Sequence, residues 1–537
     1  VRLNRIELIN HSRLKDLNIE VREHLVVIGA NDVGKTSLFR CLNLILGATA
    51  QQLYQGITVD DLGQADEPFI CRVSLIDFSD DERALFPDET TIQADGSEVL
   101  IVELSVERSP DDNEQVIIRR WFPEGTDRTP NRGQLDAFGW QYLPASRSSA
   151  IEFMQGRRSP LRSLLESTDL GADKQALVET LDAFNGKLES NTALEDLRNM
   201  IAEHLSRSMP KVIDKSELTI RTTADPNSDV LEDVTLFLKR DEGVRALADQ
   251  SDGVRQLMTM TFFDLAKSGA NMVAIDEPEL HLHASSQRTV AELFASGKNQ
   301  RLLVTHSPYI VQRFEPKHVL VVTADQEVRQ IPSSSFSSVE KEMANWWSPR
   351  LLEALTSRRT LVVEGIADRV FIEACARKLG VPLDKLGITV LELDGADKFK
   401  HVYNLLGKNG FDLDIIGLVD HAERGSWMSA LSIKPKNINK KVLFVANADL
   451  EDEYALGMGG PAAGQALIDE GVCREQGILQ AAGVSAVADL TEAQVAEFAR
   501  DRKVTSAVAV GKHVTVDQIA RMPAVSGLFD YIKSLDV

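Results

Sequence analysis

The sequence predicts an α/β protein in two parts, and three observations carry that prediction. A glycine-bearing loop, Gly29-Ala-Asn-Asp-Val-Gly34-Lys35-Thr36, stands between an apolar strand, Leu25–Ile28, and a helix, Ser37–Leu46. A second apolar strand, Met272-Val-Ala-Ile-Asp276, ends in the acid pair Asp276-Glu277. Farther on, three more stretches bring acids to strand ends: Glu364, Asp420, and the run Asp449-Leu-Glu451-Asp-Glu453. Strand, turn and helix recurring in this way is the pattern of parallel sheets, whose sites lie at the carboxyl ends of the strands.

A chain of 537 residues is too long for one ordinary core, so two or three domains are expected. With 43% hydrophobic and 26% charged residues and no polar low-complexity tract, most of it must fold. Apolar runs such as Leu25-Val-Val-Ile28 are of strand length and none approaches a membrane span, so no membrane partner is expected. The alternating strand Leu3–Ile9 stands at the start, and no signal or transit segment is expected. Cys41, Cys71, Cys375 and Cys473 lie far apart without metal-type spacing, which suits reduced thiols in a cytoplasmic protein. The net charge of −22 opposes coating of nucleic acid by bulk attraction. It leaves room for a local basic groove and suits an enzyme that gathers divalent cations.

The loop Gly29–Thr36 fits the phosphate-loop pattern in full and sits where that pattern must sit. Its glycines let successive N–H groups of Asn31, Gly34 and their neighbours turn toward phosphate oxygens at a helix N-terminus. Lys35 would reach the β and γ phosphates of ATP, the Thr36 hydroxyl would take a Mg²⁺ position, and Ser37 opens the helix. Asp276 would hold the Mg²⁺ and Glu277 would orient and deprotonate the attacking water. Arg301-Leu-Leu-Val-Thr305-His306-Ser307 adds a strand capped by a histidine suited to a γ-phosphate contact. Upstream, Gln250-Ser251-Asp252-Gly253-Val-Arg-Gln256 resembles the signature of ABC ATPases, a Ser-x-Gly opening a helix, and Leu280-His281-Leu282-His283 stands where their D-loop stands. A chance glycine turn, a strand-end acid or a lone histidine explains each piece alone, but not all of them in this order.

In ABC ATPases the Ser-x-Gly segment of one subunit covers the ATP of the other. One copy per chain therefore implies a homodimer, with Ser251 and Gly253 as nucleotide-binding residues; a loop that packs within its own subunit is the plainer alternative. Residues 1–147 and 209–340 are read as the two parts of the ATPase. Residues 148–208, helical in period, form an insertion between them that serves as a dimerisation element or as an arm for another partner. Strand-like residues return at Leu218–Ile220 and Val234–Leu238, and a serine-rich linker spans 330–341. The long interval between Lys35 and Asp276, with Asp-Glu-Pro-Glu-Leu-His-Leu-His and Thr-His-Ser, resembles the DNA-associated ABC ATPases related to RecF and SMC proteins. Membrane transporters place the two motifs much closer together.

Residues 351–537 are read as a second α/β domain. Thr360-Leu-Val-Val-Glu364-Gly365-Ile-Ala-Asp368 is a strand leading into a helix at Arg369–Leu379. Strands at Ile388–Leu393, Ile415–Asp420 and Lys441–Ala446 follow, the last leading to Asp449 and Glu451. Carboxylates converging on one crevice repel each other unless cations neutralise them. Two Mg²⁺ or Mn²⁺ ions there would clamp the oxygens of a phosphodiester displacement.

This layout resembles a Toprim domain, and an ABC ATPase with a helical insert followed by Toprim resembles the OLD (overcoming lysogenization defect) family of nucleases over nearly the whole chain. That resemblance implies a metal-dependent DNA endonuclease or nickase, governed by ATP and serving phage defence or DNA repair, with an accessory protein as a further partner. It assigns Glu364 and Asp368 to the Glu-Gly-x-x-acid pair, Asp420 to the first acid of Asp-x-Asp, and Asp449 with Glu451 to the later pair. Glu364 would be both ligand and catalytic group. A lysine that assists the transition state is assigned to Lys503 first and Lys512 second. One departure stands out: the second acid of Asp-x-Asp is Ala422. Either Glu423 stands in for it, or one metal position is weakened and cutting is slow or absent. The alternative reading is a non-cutting, ATP-dependent sensor or assembly module; acids that merely cap helices are a third. His281, His283, His306 and His421 lack zinc-ligand spacing. Trp346 and Trp347 suit packing of the interdomain joint better than base stacking.

Overall fold

The computed structural model describes residues 1–64, 66–94, 96–124, 127–145, 165, 168–171, 173–208, 237–240, 243–246, 250–266, 270–335 and 349–535. The chain divides into two units. Val1–Leu143, Asn271–Glu277 and Gln300–Val537 form one; Pro144–Ala270 and Pro278–Asn299 form the other. In chain order the strands are β1 (Arg2–Ile9), β2 (Leu17–Glu20), β3 (Leu25–Gly29), β4 (Phe69–Ile76), β5 (Thr90–Ile92), β6 (Glu98–Arg108), β7 (Val116–Trp121), β8 (Trp140–Leu143), β9 (Phe237–Arg240), β10 (Gly243–Ala246), β11 (Met272–Asp276), β12 (Gln300–Val304), β13 (Val319–Val322), β14 (Val328–Gln330), β15 (Arg359–Val363), β16 (Ile388–Glu392), β17 (Asp414–Val419) and β18 (Leu443–Val445).

The first unit holds a sheet ordered β14-β13-β3-β12-β11-β8, parallel except for the edge strand β14. Every residue of β3, β11, β12 and β13 is buried, as expected of strands covered on both faces. An antiparallel sheet, β2-β1-β4-β6-β5 with β7 on β6, stands on the other side of the helix Lys35–Leu46. Leu38, Phe39, Leu42 and Ile45 of that helix share one core with Val27, Ala274 and Val304 of the parallel sheet and Ile6, Val73 and Val102 of the antiparallel one. In β1 the buried side chains are Leu3, Ile6 and Leu8, and the pairing with β4 shifts between Leu3 and Arg5. That bulge is why the buried face does not recur strictly every second residue.

The C-terminal part of this unit is a four-stranded, all-parallel sheet ordered β16-β15-β17-β18. Leu361, Val363, Ile416 and Leu418 pack there with Phe371 and Cys375 of the helix Ile366–Leu379. The same core takes in Tyr454, Leu467, Val495, Val510 and Phe529 from the helices that follow Asp449. Two helix starts differ from the sequence expectation, the first because of a glycine and the second through a side-chain cap. Left-handed Gly34 (φ 99°) opens the first helix at Lys35, before Ser37. Gly365 opens the other at Ile366, before Arg369, with its N–H held by Asp368 Oδ2 at 2.8 Å.

In the second unit, helices Asp173–Glu189 and Thr192–Ser208 stand where a helical insertion is expected, and the first of them buries no side chain. A hairpin, β9-β10, follows, then helices Asp252–Ala266 and Ala284–Ala295. The expected strand-like run Leu218–Ile220 lies outside the described residues, as do Trp346 and Trp347.

Trp427 ties the loop after Asp420 to the sheet. Its ring stacks on Phe399 with centroids 3.8 Å apart, and its Nε1 donates to the Ala396 carbonyl at 3.0 Å. On β17, Gly417 leaves room for it: a Cβ there would lie 2.9 Å from the indole. Removing so large a buried ring leaves a cavity that the strand cannot refill, at a cost of about 3–5 kcal/mol. Trp427→Ala is therefore expected to lower the urea midpoint of the C-terminal part, read by circular dichroism; an unchanged midpoint would contradict this packing.

Candidate functional site

The nucleotide loop is built by backbone geometry. Gly29, the last residue of β3, has φ 154°, and a Cβ there would lie 2.3 Å from the Val322 carbonyl of neighbouring β13. At Gly34 a Cβ would lie 2.7 Å from the Arg13 carbonyl. Both positions demand glycine. Lys35 is buried at the helix start, and its Nζ donates to the Gly29 carbonyl at 3.2 Å and to that of Ala30. The ammonium thus rests on loop carbonyls that phosphate oxygens would replace. Asn31 and Thr36 are exposed, and Ser37 is half-buried.

Strands β3, β12 and β11 are consecutive neighbours in register, with Val27 level with Val304 and Val304 level with Asp276. Three segments far apart in sequence therefore end on one line. Asp276 is fully buried at the end of β11. Glu277 takes a left-handed backbone, φ 47°, and donates its N–H to the Val304 carbonyl at 2.8 Å. Such a conformation costs a non-glycine residue about 1–3 kcal/mol, and strain of this kind collects at functional positions. Here it turns the Glu277 carboxylate to within 3.9 Å of His306 Nε2. Burial, then the Lys35 charge, lowers the His306 pKa, with Glu277 opposing. A neutral imidazole can accept or donate a proton near a phosphate. In the second unit, exposed Ser251 stands directly before the helix Asp252–Ala266 and its carbonyl accepts the Arg255 N–H at 2.9 Å. A Cβ on Gly253 would lie 3.1 Å from the His281 carbonyl. The described chain thus keeps the Ser-x-Gly at a helix start.

The carboxylate cluster forms at the carboxyl ends of β15 and β17, which are adjacent and parallel. Glu364 follows β15, and its Oε1 accepts the Asp420 N–H at 2.6 Å, joining the two strand ends. Burial raises the pKa of all four acids gathered there. Glu364 goes up through burial, against the Asp420 N–H, with Glu423 and Glu451 adding to the rise. Asp368 is pushed up to about 7, chiefly by burial. Asp420 goes up to about 8 by burial and by the charges of Glu364 and Asp368. Glu451 is buried and also raised, by burial first. Its Oε2 has no hydrogen-bond partner among the described residues and faces Lys503 Nζ at 3.7 Å. Burial lowers the Lys503 pKa, but Glu451, Asp420, Asp368 and Asp449 outweigh it and the net shift is upward. Glu423 is exposed, yet its charge reaches Glu364; Ala422 is exposed.

Asp449 is otherwise engaged. It caps the helix Leu450–Met458 through the Asp452 N–H at 2.9 Å and takes the Arg500 Nε at 2.6 Å. Burial pushes it up, but the Arg500 hydrogen bond holds it below the ordinary carboxylate range. Lys512 is paired with Glu470, so of the two candidate lysines only Lys503 joins the acids. Among the described residues, no three His, Cys, Asp or Glu side chains form a ready-made ligand set for one ion. The four acids fit a cation by their chemistry nonetheless: buried, mutually repelling carboxylates, one with an oxygen lacking a hydrogen bond. Sequence reasoning missed Arg500, which lies 51 residues from Asp449 with no spacing to link them. It also read Ile388–Leu393 as a strand without singling out Glu392; a lone acid among its apolar neighbours was the available signal. Its carboxylate is buried between Arg350 and Arg369.

Comparison with known proteins bears on both regions. Residues 25–312, over half of the chain, match the family described as "AAA domain, putative AbiEii toxin, Type IV TA system". Residues 355–421 match the overcoming lysogenization defect protein-like TOPRIM domain. Endonuclease GajA of Bacillus cereus (strain VD045) is 20% identical over 426 residues, covering 74% of this chain and 71% of that protein. Among solved structures, an Smc head domain from Pyrococcus furiosus aligns with a TM-score of 0.39 and 15% identity, over 64% of this chain and 99% of that one. The C-terminal region of the Burkholderia pseudomallei OLD protein aligns with a TM-score of 0.28 and 21% identity, over 33% of this chain and 98% of that one. With its ATPase half in that AAA-domain family and an OLD-like Toprim domain after it, the chain belongs to the OLD family of ATPase–Toprim proteins.

Proposed function

We propose that the protein is an ATP-regulated, divalent-metal-dependent DNA endonuclease or nickase. The observation that carries this reading is the convergence of Glu364, Asp368, Asp420 and Glu451, with Lys503 beside them, in the same chain as a complete phosphate loop. Glu364, Asp368, Asp420 and Glu451, with Glu423 at the rim, would hold Mg²⁺ or Mn²⁺. When bound, two such ions supply a nucleophile at neutral pH and stabilise the attacking and leaving oxygens of a phosphodiester. Glu364 is oriented for this by the Asp420 N–H, and Lys503 sets a positive charge against the phosphate being displaced. The name of GajA, an endonuclease, supports the same activity.

In the ATPase half, Lys35 and Thr36 would hold the phosphates and Mg²⁺ together with Asp276, and Glu277 and His306 would handle the attacking water. The single Ser251-x-Gly253 supports a homodimer in which each signature covers the partner's ATP. Phage defence or DNA repair in the cytoplasm, with an accessory protein, completes the reading. Ala422 and the engagement of Asp449 by Arg500 favour a second one, a Toprim domain that binds without cutting.

Supercoiled plasmid incubated with Mn²⁺ separates the two. Wild type is expected to nick or linearise it, and Glu364→Ala to lose on the order of a hundredfold in rate or more. If wild type leaves the plasmid supercoiled with and without ATP, the nuclease reading fails and the binding module stands. Lys35→Ala is expected to slow ATP hydrolysis by about 10²–10³-fold, measured as phosphate release, since it removes a preorganised cation from the transferring phosphate.

The raised acids also predict a pH dependence. Asp368 and Asp420, at about 7 and about 8, hold protons that the unfolded chain has already released. Stability therefore falls as pH rises from about 4 to about 8, because the folded state binds more protons over that range. Melting of the chelator-treated protein is expected at lower temperature at about pH 9 than at about pH 6, with Mn²⁺ restoring more at the higher pH. Equal Mn²⁺ shifts at the two pH values would count against these acids as cation ligands.

A further inference from the structure

The helix Pro349–Thr356 leads into β15, and its Arg350, Leu352, Glu353 and Thr356 face a cavity of about 330 Å³. The opposite wall includes Ile28, at the end of β3, and the segment that carries Thr305, His306 and Ser307. One side of this helix therefore looks toward the end of the nucleotide sheet. From the same helix, Arg350 donates to Glu392 Oε1, and Arg369 donates to Glu392 Oε2 at 3.0 Å. The Glu392 side chain is 1% exposed, so this buried carboxylate is held by guanidinium groups that reach it from two separate helices, with Arg350 itself exposed and Arg369 partly so.

The position of Glu392 gives that clamp a direction. It ends β16 level with Val363, the residue before Glu364. Arg369 follows Asp368 on the helix Ile366–Leu379, and its Nε also holds Glu373 at 2.8 Å. A displacement of Arg350 would leave the buried Glu392 carboxylate with Arg369 alone, which favours movement of the carboxylate and Arg369 with it. The cavity beside His306 supplies the space for such a displacement; a joint packed to ordinary interior density would not yield.

We infer that Glu392 is a positioning residue that couples the His306 loop to the acid-bearing helix Ile366–Leu379, through Arg350 on one side and Arg369 on the other. The inference rests on the proposed contact of His306 with the γ-phosphate, and not on whether the Toprim domain cuts DNA. ATP shifts this element only by binding one of its two arrangements better than the other.

The test is amide hydrogen exchange on the full-length protein with Mg²⁺, with and without a non-hydrolysable ATP analogue, in wild type and in Glu392→Gln. In wild type the analogue is expected to change exchange within both 305–311 and 366–379, by about fivefold or more. In Glu392→Gln the response of 305–311 is expected to persist, while that of 366–379 falls below about twofold. A 366–379 response equal to wild type in the variant overturns the inference, as does the absence of any 366–379 response in wild type. If Glu392→Gln does not fold, Arg350→Met provides the same readout, because it leaves the Arg369–Glu392 pair in place. The plasmid assay is separate: DNA left uncut beside intact exchange coupling would sink the nuclease reading and leave this link standing.

Discussion

Parallel strand pairing is the constraint on which both sites depend. A parallel strand delivers its carboxyl end to the same edge as its neighbours, whatever length of chain separates them. On the nucleotide side, Val27, Val304 and Asp276 are level, so the phosphate loop, the His306 segment and the acid pair meet at one edge. On the carboxylate side, β15 and β17 are paired, and the Asp420 N–H closes on Glu364 at 2.6 Å. A slip of one residue in either sheet would turn these side chains to the opposite face. The apolar content of the strands, every residue buried in β3, β11 and β12, is what resists that slip.

Electrostatics then separates the two edges. At the phosphate-loop edge a buried lysine rests on the carbonyls of Gly29 and Ala30. At the other edge burial raises four acids together, and a single nearby lysine only partly offsets them. The same chain therefore sets a buried ammonium at one sheet edge and a group of raised acids at the other. Asp449 differs from the raised acids: paired with Arg500, it caps a helix with a depressed pKa, while its charge still adds to the rise of Asp420 and Glu451.

The joint between the two regions is built from charge as well as packing. Glu392, Arg350 and Arg369 bury an ionic group where apolar side chains would hold the elements together without a desolvation cost. A hydrogen-bonded carboxylate has directions that an apolar contact lacks, so it fixes the angle between the helices it joins. The cavity borders one arm of the clamp, and the ionic pair joins that arm to the acid-bearing helix.

Local chemistry made a large part of this legible in the sequence alone. Gly29 and Gly34 are required by backbone geometry, and apolar runs ending in Asp276, Glu364 and Asp420 announce strands that deliver acids. Those signals depend on residues close together in the chain, as does the family resemblance that the comparisons support. The helix start at Lys35 was displaced from expectation by the left-handed backbone of Gly34, and that at Ile366 by the Asp368 cap on the Gly365 N–H. What only the tertiary structure decided was partnership: Lys503 and not Lys512 beside the acids, Arg500 on Asp449, and Glu392 between two arginines. Each is a contact between segments tens of residues apart, and a charge in sequence carries no record of which opposite charge the fold will bring within a few ångströms of it.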